Sequence, residues 1–65
     1  MSKKRAVLRM VNEMYIELID NADRVDEIVS GIISNDRGWI HFEQKNVWVN
    51  RGQIVAIEVG EWQST

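Results

Sequence analysis

The sequence predicts a mainly β single domain over residues 1–65: a short N-terminal helix followed by a five-stranded, strongly bent antiparallel small barrel. Three observations carry this. Runs rich in Val, Ile, Trp and Phe recur between turn-forming clusters from residue 14 onward. Two of these runs, WIHFE (39–43) and VWVN (47–50), flank Gln44-Lys45-Asn46 as the arms of a hairpin. Gly31, inside the run VSGIIS (29–34), supplies the bulge or bend that a small barrel needs in order to close.

In chain order, residues 2–12 read as the helix, because Ser2 can cap it and Val7, Leu8 and Val11 share one face. Lys3, Lys4 and Arg5 lie in its first turn, against the helix dipole, so this helix needs packing to hold. MYIELI (14–19) is the first strand, ended by the turn-like cluster Asp20-Asn21-Ala22-Asp23. One alternative stays open here. Leu8, Val11, Tyr15, Leu18, Ala22, Val25 and Val29 also fit a single helix over 3–30, capped by Gly31. That α+β reading lays a long N-terminal helix on a three- to four-stranded antiparallel sheet. In the β reading VSGIIS is the second strand, and Asn35-Asp36-Arg37-Gly38 the hairpin loop after it. WIHFE, VWVN and IVAIEVGEW (54–62) complete the barrel, which then spans 13–62 behind a helix and basic tail over 1–12.

Composition narrows the function classes. A chain of 65 residues is near the lower limit for a self-sufficient core, and small domains lean on disulfides, metals or oligomerisation. With no cysteine and one histidine, the first two routes close and a homo-oligomer is expected. No apolar run reaches membrane-span length and no signal-peptide core follows the basic start, so a cytoplasmic protein is expected. Four of the eight basic residues, Lys3, Lys4, Arg5 and Arg9, fall in the first nine positions, whereas residues 10–65 carry a net −6. Any attraction for nucleic acid must therefore come from the N-terminal segment. His41 stands alone without a nucleophile pattern, Asp20, Asp23, Asp26 and Glu27 lack the spacing of a calcium loop, and no glycine loop cradles a phosphate. The chain reads as a binding module without catalytic residues, cofactor or metal.

The hairpin can be resolved into faces. A two-residue turn at Gln44-Lys45 sets Phe42 opposite Val47, His41 opposite Trp48 and Ile40 opposite Val49, and a turn at Lys45-Asn46 changes these partners but not the faces. Ile40, Phe42, Val47 and Val49 then form the core side, and Trp39, His41, Glu43, Trp48 and Asn50 the other. A face with two tryptophans has three explanations: a subunit interface, a platform for stacking bases, or ordinary core beneath the N-terminal helix.

The predicted order of a short helix and five strands resembles the Sm-like fold of the Sm, Lsm and Hfq proteins. VNRGQIVAIEV resembles the second Sm motif through Val49, Arg51-Gly52, Ile54 and Ile57, and GIISND resembles part of the first through Gly31, Ile33 and Asp36. The resemblance implies a ring-shaped oligomer that binds single-stranded RNA or a nucleotide-type ligand between subunits, with Asn50, Arg51 and Gly52 lining the pocket. Together with Trp39, His41 and Trp48 from the hairpin, these are the candidate binding residues. Without the resemblance, Gly52 permits a turn, Asn50 closes it and Arg51 is solvated. The alternative function is a small regulator or inhibitor, of the kind phages encode, that binds a protein through its aromatic face.

Overall fold

A computed structural model describes residues 2–35 and 37–63. Its elements are β1 (Lys3–Met10), β2 (Tyr15–Asn21), α1 (Ala22–Ser34), β3 (Trp39–Phe42), β4 (Val47–Asn50), a 3-10 turn (Arg51–Gln53) and β5 (Ile54–Trp62). The expected N-terminal helix is a strand, and the helix lies instead between β2 and β3. The strands form two antiparallel sheets, a three-stranded one in the order β2-β1-β5 and the two-stranded β3-β4, with no closed barrel among the described residues. The long-helix alternative fails too, because α1 spans 13 residues in the middle of the chain. Asp36, drawn into the resemblance above, lies outside the described residues.

Charge explains why residues 3–10 are a strand. In an extended chain, Lys4, Ala6, Leu8 and Met10 alternate onto one face and Arg5, Val7 and Arg9 onto the other. Ala6 and Leu8 are fully buried. On the opposite face Arg5 pairs with Glu17 of β2 and Arg9 with Glu58 of β5. Both carboxylates are diagonal neighbours of their arginines, since each stands in register with Val7. Lys4 reaches Asp26 on α1 at 2.9 Å. Lys4 and Arg5, which would oppose a helix dipole, and Arg9 thus each meet a carboxylate in the folded chain. Val7, flanked by both arginine pairs, is buried although it points outward.

The same physics places α1. Asp23, Asp26 and Glu27 fall near its N-terminal end, where acids favour the dipole, and Ala22 N–H donates to Ser2 O at 3.1 Å. Val25, Ile28, Val29 and Ile32 recur at helical spacing; Val25 and Ile32 are buried and the other two pack against the core. The C-terminal carbonyls are satisfied in turn. Ser34 Oγ donates to Ser30 O, Asn35 Nδ2 to Gly31 O, and Asn35 N–H to Ile32 O. VSGIIS is therefore the last part of a helix, and α1 packs across β1 and β2 where a barrel would have closed. Leu8, Leu18, Val25, Ile32, Phe42, Val49 and Ile54 join in one core beneath it.

Gly31 makes this correction testable. It sits inside α1 with nothing within 4 Å of the position a Cβ would take. Gly31→Ala is expected to raise stability by about 0.5–1 kcal/mol, read as a higher urea midpoint. A glycine needed for a strand bulge would give the opposite sign. Among the described residues, no helix is long and apolar enough to cross a membrane.

Candidate binding face

The hairpin β3-β4 has the register of a turn at Gln44-Lys45: Phe42 pairs with Val47, His41 with Trp48, Ile40 with Val49 and Trp39 with Asn50. Asn46 takes the left-handed turn conformation that asparagine tolerates, with a φ of 51°. Phe42 and Val49 are buried and Ile40 half-buried, so the assigned core side is the core side; Val47, next to the turn, stays 37% exposed. Two attachments hold the hairpin to the rest of the molecule. Gln44 Nε2 donates to Ile19 O at 2.6 Å, while Ile19 N–H donates to Gln44 Oε1 at 3.4 Å, so that one amide serves the edge of β2 as a strand would. At the other end Arg51 N–H donates to Gly38 O at 2.8 Å.

With Phe42 and Val49 turned inward, the opposite face is left to solvent. Trp39 and Trp48 are 66% and 65% exposed. His41 lies between them in the register and stacks on Trp48, with ring centroids 4.6 Å apart and planes 26° from parallel. Its Nε2 is 3.4 Å from Asn46 Oδ1, which fixes the ring from the turn side. No N-terminal helix exists to cover this face. That removes the ordinary-core explanation.

The other three candidate residues do not join them. Asn50 stands opposite Trp39, but its Oδ1 accepts from Gly52 N–H at 2.9 Å and so caps the short turn. Arg51 is half-buried and points away from the aromatic face. Its Nε donates to Ile32 O at 2.8 Å and its Nη1 to Ile54 O at 3.1 Å, tying the end of α1 to the start of β5. There it also gives α1 the positive charge that its own last turn lacks. Gly52 is exposed, and a Cβ on it would stand 3.3 Å from Asn50 Oδ1. The corner 50–52 is thus an internal joint, with its guanidinium occupied by carbonyls.

The cation inventory shifts in the same direction. Of the four basic residues at the N-terminus, Lys4, Arg5 and Arg9 face carboxylates of their own chain, as does Arg24 with Glu27 at 3.4 Å. These partners were not visible in a basic tail read as a helix; the alternation of charged and apolar residues over 3–10 was the signal. Among the described residues, no three His, Asp or Glu side chains gather into a group that could hold a metal.

Comparison of the chain with protein-family models, with curated proteins and with solved structures finds no match. Function must therefore be argued from the aromatic face itself.

Proposed function

We propose that this chain is a cytoplasmic, non-enzymatic regulatory module that binds a protein partner through Trp39, His41 and Trp48. The observation that carries the reading is the pair of tryptophans, each about two-thirds exposed, on a hairpin face that no other element covers among the described residues. Tryptophan concentrates at the energetic centres of protein interfaces, where a rigid ring fills a pocket at small entropic cost. His41, stacked on Trp48 and tethered to Asn46, holds that ring in place before binding, which lowers the ordering cost. The surrounding chain is acidic, with a net −6 over residues 10–65. The fitting partner surface is an apolar pocket with basic side chains around its rim.

Single-stranded RNA or a nucleotide would use the same rings as stacking platforms, but it also needs cations along the backbone path. Three of the four N-terminal cations are paired within the chain, and Arg51 is bonded to two backbone carbonyls. That favours a protein over a nucleic acid.

The two are separated by capture from nuclease-treated lysate of the native host, using the chain and its Trp39→Ser/Trp48→Ser variant as baits. A protein retained by the chain after nuclease treatment and lost by the variant is the expected result. Fluorescence anisotropy with a labelled single-stranded RNA provides the second arm. Submicromolar RNA binding that disappears in the variant would overturn the protein-binding reading.

A further inference from the structure

The three-stranded sheet has two edges, and the protein treats them differently. On β2 the side-chain amide of Gln44 occupies the backbone of Ile19. On β5, Arg51 takes the carbonyl of Ile54 at the first residue. Beyond it, among the described residues, no other element hydrogen-bonds to the outer backbone edge from Val55 to Trp62. Nor does β5, IVAIEVGEW, carry the lysine or proline with which proteins usually blunt a long edge. It instead exposes Val55 at 62%, Val59 at 45% and Trp62 at 38%. Val55 is the extra residue where the β1-β5 register shifts, so it has no cross-strand partner within the chain.

We propose that β5 is a self-association edge, pairing antiparallel with β5 of a second copy about a two-fold axis at Ile57. The two three-stranded sheets then become one of six strands. The occupant follows from the strand's self-complementarity. With the axis at Ile57, Ile57 meets its own counterpart and Val55 falls in register with the second copy's Val59, twice by symmetry. Glu58 then stands opposite the second copy's Ala56, and it keeps its own ion pair with Arg9. Moving the axis to Glu58 would set two carboxylates directly opposite, which is unfavourable in an antiparallel pair. Moving it to Val59 would set Ile57 against Glu61. The Ile57 register joins apolar to apolar and keeps the acids apart. The chain, of 7.6 kDa and without disulfides, is of the size that gains most from such an extension of its core.

Sedimentation equilibrium on the purified chain tests this. The expected mass is twice 7.6 kDa, and a mass equal to the single chain at several hundred micromolar would overturn the proposal. Val59→Lys, at an exposed position where the fold should survive, is expected to halve the mass with an unchanged circular dichroism spectrum. An unaltered dimer would overturn it. The register is tested by adding Val55→Glu to Val59→Lys, which sets an acid opposite a base in both symmetry-related pairs. The double variant is expected to regain the dimer, and failure to do so overturns the axis at Ile57. The Trp39→Ser/Trp48→Ser variant is expected to keep the dimer mass. Its loss there would move the self-association to the hairpin and overturn the assignment to β5.

Discussion

Ile32→Ala is expected to destabilise the protein by about 2–5 kcal/mol, the range for truncating a buried aliphatic side chain that leaves a cavity. Ile32 is 1% exposed and lies in the core with Leu8, Leu18, Val25, Phe42, Val49 and Ile54. A domain of this length has a total stability of about 3–10 kcal/mol, so the change removes much of it. Urea denaturation at 25 °C followed by circular dichroism should show a large fraction unfolded without denaturant, or a midpoint shifted strongly downward. The neighbouring Ile33 provides the control. It is 65% exposed, and Ile33→Ala is expected to leave stability within about 0.5 kcal/mol of the parent. In a strand the two residues would also alternate, so the pair is informative only together with Gly31→Ala, whose sign separates helix from strand.

Arg51→Ala is the second large effect. The guanidinium donates to the carbonyls of Ile32 and Ile54 from a half-buried position, and hydrogen bonds to charged groups contribute about 1.5–3 kcal/mol each before exposure is discounted. We expect a net loss of about 2 kcal/mol, which for a domain of this size lowers Tm by roughly 8–16 °C. Arg51→Lys should recover only part of the loss, because one ammonium cannot reproduce a fork that spans two carbonyls. Binding through the aromatic face should persist in either variant at temperatures where the protein is folded. Loss of partner binding in a folded Arg51→Ala protein would restore a ligand role to the corner.

What was legible in the sequence follows from the range of the forces involved. The two faces of the β3-β4 hairpin could be read residue by residue, because they depend on a local period-two pattern that holds for either turn position. The strand read over 14–19 was recognisable from its isoleucines and leucine for the same reason, although β2 runs on through Asp20 and Asn21. Residues 3–10 were misread because Val7, Leu8 and Val11 suit a helical face. What decides them is distant: Glu17, Asp26 and Glu58, each reached only after folding. The acid cluster over 20–23 suits the end of a strand, yet acids are also what the N-terminus of a helix favours, and α1 starts at Ala22. Gly31 drew VSGIIS toward a strand, although an exposed glycine inside a packed helix costs only about 1 kcal/mol.

The candidate site divides along the same line. Trp39, His41 and Trp48 share a face because strand alternation puts them there, and the sequence alone supplies that alternation. Whether the face is covered depended on the N-terminal element, whose apolar spacing suits a helix as well as a strand. Arg51 stood out in the sequence as an unexplained cation at a corner. Its partners, the carbonyls of Ile32 and Ile54, are backbone atoms that no side-chain pattern announces.

Native mass spectrometry of the chain purified from its own cells at low ionic strength separates a protein from a nucleic acid on the exposed hairpin face. We expect a complex that carries a second protein, with no nucleotide or RNA mass, and its dissociation on Trp39→Ser/Trp48→Ser substitution. A stoichiometric nucleotide or RNA adduct, lost on the same substitution, would contradict it.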